Sequence, residues 1–200
     1  MTPDDRAVAA EATIAYFGYG SLVNDATRPA GFAVRRARLD GFRRAWRVRG
    51  GSACALTVVA APGCSLRGLV VTEPAENLAA LDRREGRYRR AVAPAAALWA
   101  DDGRPLTAPV FYYAVAPEHD GPGDRACPIL LSYVDCVLQG FLRHWGEDGV
   151  AEFVATTDGW EVPILDDRAA PRYAMAQALS ERERAIVDRA LDAAGARRHR

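Results

Sequence analysis

No stretch of this sequence reaches the roughly 18 uncharged apolar residues that a spanning helix needs, so no transmembrane segment is predicted. The opening Met1 to Ala12 lacks a continuous apolar run and carries Asp4, Asp5 and Glu11. It reads as neither signal peptide nor anchor, and a cytoplasmic protein is the expectation. There is no excess of either charge: Lys and Arg number 26, and so do Asp and Glu. That balance sets up no long-range field toward nucleic acid or an anionic membrane, so a local pocket has to select the ligand. Cys54, Cys64, Cys127 and Cys136 contain no C-x-x-C pair, and His119, His144 and His199 fall at spacings that build no familiar zinc site. The thiols read as small buried apolar residues in a reducing compartment, and neither metal nor cofactor is expected.

What is present suffices for a substantial core: half of the 200 residues are apolar, which favours one domain over residues 1–200. Strand-like runs cover Ile14 to Gly18, Ala33 to Leu39, Arg43 to Arg49, Cys54 to Ala60, Leu66 to Thr72 and Pro109 to Val115. Gly31, Gly41, Gly50 with Gly51, and Pro62 with Gly63 punctuate them. The pattern predicts an α+β fold: a small, mostly antiparallel sheet that curls toward a β-barrel over about 13–116, with a helical part over about 127–195 packed outside. Pro74 to Arg84 reads as a short helix before Gly86. Leu130, Val134, Val137, Leu138, Phe141, Leu142 and Trp145 step by three and four, an amphipathic helix closed by Gly146, with a shorter helix around Asp148 to Ala155. Ser180 and Glu183 form a capping-box signature for a last helix ended by Gly195, followed by a frayed basic tail from Ala196 to Arg200.

Two segments carry chemistry. In Tyr16–Phe17–Gly18–Tyr19–Gly20–Ser21–Leu22 an apolar strand runs into a loop with two glycines and a hydroxyl. Such a backbone can turn successive N–H groups toward an anion, although Gly18 and Gly20 equally suit a tight bend or bulge. The second segment, Leu81 to Arg90, sets Glu85 among Arg83, Arg84, Arg87, Arg89 and Arg90. Read blandly, this is a solvated salt-bridge network. A carboxylate at a helix-to-strand junction beside a glycine can instead point into the mouth of the sheet, where burial raises its pKa.

Together, YFGYGSL, RARLDGFRRAW, the strand G-L-V-V-T and ENLAALDRREGRYRR resemble, in content and in order, the gamma-glutamylcyclotransferase-like superfamily, including its ChaC branch. The resemblance spans about Ala15 to Val115 and implies the family's small barrel with helices outside. It also implies a cofactor-free enzyme that cyclises a γ-glutamyl group to 5-oxoproline and releases an amine, amino acid or peptide. Tyr19, Gly20, Ser21 and Leu22 match the family's substrate-binding loop. Leu81, Asp82 and Glu85 match its L-D-x-x-E motif, which makes Glu85 the catalytic acid and base. Tyr88, three residues on, is placed to hydrogen-bond the substrate or simply to pack as a strand aromatic.

Whether the substrate is glutathione, a γ-glutamyl amino acid or a γ-glutamyl-amine stays open, as does the oligomeric state. The competing reading is a non-catalytic small-molecule binding module on the same fold. Asp166, Asp167, Arg168, Arg172 and Tyr173, with Thr156, Thr157 and Trp160, form a polar-aromatic cluster. It suits either a turn tied by Asp–Arg bonds or a flap over the barrel mouth. His119 and His144 have no recognisable partner and read as structural.

Overall fold

The computed structural model describes residues 12–49 and 51–199. The expectations for Met1 to Glu11, for Gly50 and for Arg200 lie outside these residues. Two long strands dominate: β2 (Ala33–Val48) and β3 (Ala55–Pro74), paired antiparallel from Ala33 opposite Thr72 to Val48 opposite Ala55. The sequence divides each of them into two strands; the structure joins the halves. The register shifts between Asp40, opposite Ser65, and Phe42, opposite Ala60, so the intervening Gly41 (φ 80°) and Gly63 (φ 83°) act as a bulge. Positive φ comes free to glycine, and the bulge bends the ribbon without ending it.

β1 (Thr13–Gly18) lies beside β3, antiparallel, with Gly18 opposite Leu69. The short helix α1 (Leu78–Arg84) leads to β4 (Tyr88–Val92), β5 (Leu98–Ala100) and β6 (Val110–Val115). The strand order is β4-β6-β1-β3-β2-β5, mostly antiparallel, with β1 and β6 parallel. The fold is therefore α+β, as the sequence indicates, but the sheet is not closed: β4 and β5 end the path rather than pairing with each other. Val92 and Trp99, on those two ends, are the exposed large apolar residues among those described.

β7 (Ile129–Leu130) runs into α2 (Leu131–Ala155), which bends at Gly146 (φ 69°, ψ −162°), where the sequence ends one helix and starts another. The first half of α2 is buried on more than one side, Val134, Val137, Leu138 and Phe141 together with Ser132, Asp135 and Gln139. α3 (Glu181–Ala193), with the Ser180–Glu183 capping box in place, packs against it. β8 (Thr157–Asp158) adds to β2, and β9 (Ile164–Leu165) pairs with β7 and with β10 (Arg198–His199). The chain end expected to fray is thus a strand through His199, because the amide of Ile164 bonds the Arg197 carbonyl and that of Asp166 bonds the His199 carbonyl.

Gly68 shows why the centre of the sheet is so tight. A Cβ there would lie 2.4 Å from Phe17 Cζ and 2.5 Å from the Gly18 carbonyl oxygen. The Phe17 ring is seated directly on the β3 backbone. Gly68→Ala is expected to lower unfolding free energy by about 1–3 kcal/mol, read as a lower denaturant midpoint at constant slope. An unchanged midpoint would show that Phe17 and the Gly18 backbone yield freely.

Candidate active site

The recess at the end of β1 begins with a backbone turn. After Gly18 the chain tightens into a single 3-10 turn, Ser21–Val23, whose bonds start with the Val23 amide to the Gly20 carbonyl at 3.0 Å. The amides of Ser21 and Leu22 precede that first bond, as at any helix start. A Cβ on Gly18 would meet Leu22 Cβ at 2.9 Å, and one on Gly20 would meet the Tyr133 hydroxyl at 3.1 Å. Both glycines therefore serve close approach.

Three contacts hold this loop. The fully buried Arg44 donates through Nε to the Tyr19 carbonyl at 2.8 Å, through Nη1 to Thr156 Oγ1 at 2.7 Å, and through Nη2 to the Arg67 carbonyl. Its guanidinium sits 4.8 Å from the Phe141 ring centre and 4.7 Å from that of Phe153. Burial pushes its pKa down to about 9, so it stays charged at neutral pH. Asn24 Nδ2 donates to the Cys136 carbonyl at 2.8 Å, and Gly140 lets α2 approach, since a Cβ there would lie 2.8 Å from the Asn24 nitrogen. Tyr19 donates its hydroxyl to the Tyr113 carbonyl.

Glu85 caps the C-terminal end of α1, its amide on the Leu81 carbonyl at 3.0 Å, and its carbonyl accepts from the Tyr88 amide at 2.8 Å. This tight exit from helix to strand turns the carboxylate inward. Its side chain is 14% exposed, and burial raises its pKa above the usual carboxylate value while Arg84 and Arg87 pull it back. Arg84 links the two motifs: Nε is 3.3 Å from Glu85 Oε1, Nη2 is 3.4 Å from Ser21 Oγ, and Nη1 donates to the Thr27 carbonyl at 2.7 Å. Asp82, in the same motif, accepts from the Tyr113 hydroxyl at 2.7 Å and pairs with Arg90 at 3.3 Å.

Tyr19, Gly20, Ser21, Leu22, Glu85 and Tyr88 all line one recess of about 30 Å³. That is room for roughly two water molecules. Phe17, from the same segment as the loop, completes its wall with Leu56, Tyr113 and Tyr133, and these last three are not singled out by sequence reasoning. The Tyr88 hydroxyl does not point free into the recess but donates to the Leu56 carbonyl at 2.8 Å. An outer vestibule of about 470 Å³ adjoins it, sharing Ser21, Glu85, Tyr88 and Tyr133, and adds Arg83, Arg84, Arg87, Leu130, Tyr173 and Met175. Burial drives the phenols of Tyr19, Tyr88 and Tyr133 well above their usual pKa, with the nearby Glu85 charge adding to it.

The polar cluster ahead of Tyr173 serves as its anchor. Asp167 accepts from the Ser132 amide and hydroxyl and from the Arg172 amide at 2.8, 2.6 and 2.8 Å. Arg168 joins Asp135 of α2 to Asp188 of α3 at 2.7 and 2.8 Å. Tyr173 stands edge-on to Tyr133, their ring centres 4.9 Å apart. His144 sits apart, 3.4 Å from Asp25, and His119 lies in a turn after β6; neither lines the recess or the vestibule. Among the described residues no group of three His, Cys, Asp or Glu side chains is placed to hold a metal ion.

The mixed sheet with helices packed on it is that of the gamma-glutamylcyclotransferase-like superfamily. The family model described as gamma-glutamyl cyclotransferase, AIG2-like, matches residues 16–127, and the chain belongs to that family. A solved structure named gamma-glutamyl cyclotransferase has a TM-score of 0.55 at 16% identity, over 89% of this chain and 99% of that one. An uncharacterized protein from Homo sapiens gives 0.54 at 17% identity, over 88% and 98%. YkqA from Bacillus subtilis gives 0.56 at 19%, over 75% of this chain and 57% of that one. These likenesses are of fold. No curated protein sequence matches the chain.

The raised pKa of Glu85 has a consequence for stability. Between the usual carboxylate value and the raised one, the unfolded chain gives up the proton while the folded chain keeps it, so stability falls as pH rises across that window. Glu85→Gln removes that loss. Chemical denaturation at a series of pH values should find the two proteins closest in acid and the variant the more stable at neutral pH. A variant less stable at neutral pH would show that the Arg84 pairing outweighs burial.

Proposed function

We propose that the protein is a γ-glutamyl cyclotransferase in which Glu85 carries the proton, and that it converts a γ-glutamyl compound to 5-oxoproline and a free amine. The observation that carries this reading is the position of Glu85: a poorly exposed carboxylate on the rim shared by recess and vestibule, within reach of the Ser21 turn through Arg84. A γ-glutamyl group brings its own nucleophile, the α-amine, and its own electrophile, the γ-carbonyl. The α-nitrogen attacks the γ-carbon, the new C–N bond closes a five-membered ring, and the original amide C–N bond breaks. The proton lost by the attacking amine passes to Glu85 and from there to the departing amine, so nothing else is consumed.

The amides of Ser21 and Leu22 are the donors for the substrate's carboxylate or for the oxygen that gains charge during attack, with the Ser21 hydroxyl beside them. The Tyr19, Tyr88 and Tyr133 rings shape the head of the substrate. Ring closure is intramolecular, so holding the reactive rotamer supplies a share of the roughly 7–11 kcal/mol available to oriented reactions. Residues from Phe17 to Tyr133 share the recess, crossing from the strand-rich part into α2, which supports reading residues 1–200 as one domain.

Two measurements test the proposal. Purified protein incubated with γ-glutamyl compounds should release 5-oxoproline, detected by mass spectrometry, and Glu85→Gln should slow release by about a hundred- to ten-thousandfold. In the parent, the rate should climb with pH as Glu85 loses its proton above the usual carboxylate range, and that limb should disappear in the variant. Near-parental turnover in Glu85→Gln would make the glutamate structural; ligand binding with no 5-oxoproline at all would make the protein a binding module. Separately, a chelator should leave turnover unchanged, whereas loss restored by one divalent ion would refute the metal-free route.

A further inference from the structure

The vestibule carries more positive charge than the described residues neutralise. Three arginines line it, Arg83, Arg84 and Arg87, against the single carboxylate of Glu85. Arg84 is the one that pairs with Glu85. Farther along the strand, Arg89 pairs with Glu118 and Arg90 with Asp82. Arg83 and Arg87 form no ion pair among the described residues. Arg87 is nevertheless fixed, because Nη1 donates to the Ala53 carbonyl at 3.2 Å. One anchored N–H leaves the other donors of the planar fork available. A guanidinium on a cavity wall, braced on backbone and lacking a carboxylate of its own, is complementary to a carboxylate brought by a ligand. Leu130, Tyr173 and Met175 give the same vestibule an apolar side.

We propose that the vestibule reads a carboxylate on the departing amine, with Arg87 as the principal reader and Arg83 beside it. The preferred substrates are then γ-glutamyl amino acids or peptides rather than γ-glutamyl alkylamines. This rests on the cyclotransferase reading for its orientation: the γ-glutamyl head at the recess and shared rim, the leaving group outside. Arg87 is a specificity residue and moves no proton. Because it also pulls on the Glu85 carboxyl, its loss alters proton transfer for every substrate alike. Only the ratio between two substrates isolates recognition.

The test compares γ-glutamyl-alanine with γ-glutamyl-alaninamide, which differ in that one carboxylate. Parent protein should favour the acid in kcat/KM by roughly tenfold to a hundredfold, the worth of a hydrogen bond to a charged group. Arg87→Gln should erase most of that ratio, and Arg87→Lys should keep part of it. Calorimetric binding of both compounds to the parent needs neither a variant nor turnover, and the acid should bind more tightly. Equal binding, or a kinetic ratio untouched by both Arg87→Gln and Arg83→Gln, would overturn the proposal. If neither of these compounds nor glutathione yields 5-oxoproline, the cyclotransferase reading fails, and the binding difference still decides whether the vestibule selects an anion.

Discussion

The buried guanidinium of Arg44 reaches Tyr19 at the end of β1, Arg67 in β3 and Thr156 at the end of α2, and lies against Phe141 and Phe153 of α2. Removing a charge of this size from water is costly unless its donors are met, and here they meet two backbone carbonyls and a hydroxyl. No shorter or apolar side chain could join the same partners. The turn that follows Tyr19 is therefore held from below by the sheet and from the side by α2.

From Tyr19 the constraint runs onward. Its hydroxyl bonds the Tyr113 carbonyl, and the Tyr113 hydroxyl bonds Asp82, one turn of α1 before Glu85. A chain of hydrogen bonds thus connects the buried cation to the helix that ends in the glutamate, and Arg84 closes the circuit between Glu85 and Ser21. Asp82 belongs to the same motif as Glu85, yet its contacts are those of a positioning group. The two motifs, far apart in sequence, occupy one hydrogen-bonded frame.

Much of this was legible in the residues. The strand runs, the capping box and the glycine that bends α2 all rest on local chemistry, and the paired motifs identify Tyr19 to Leu22, Glu85 and Tyr88 as neighbours on one recess. Local chemistry also misled: Gly41 and Pro62–Gly63 look like strand ends, but cross-strand pairing on either side carries the ribbon through them as a bulge. Closure of the sheet depends on β4 meeting β5, which no local pattern encodes. Leu56, Tyr113 and Tyr133 were missed because each sits in a stretch that reads as core, and only long-range packing turns its side chain toward the recess. For Asp167 and Arg168 the residues allow either a structural tie or a flap, and the contacts are those of a tie that holds Tyr173 at the vestibule.

The aromatic wall has one more consequence. Tyr19, Tyr88 and Tyr113 have their hydroxyls engaged on fixed acceptors, burial keeps all four recess phenols protonated beyond their ordinary range, and the Cys54 thiol at the vestibule is pushed up to about 12. No histidine lines either compartment. Glu85 is therefore the one carboxyl group of the two linings, and its proton is the one whose loss changes their charge from acid to neutral solution. The charge of the cavity thus turns on one side chain, and a field-sensitive label on its wall would report the protonation of Glu85 from within.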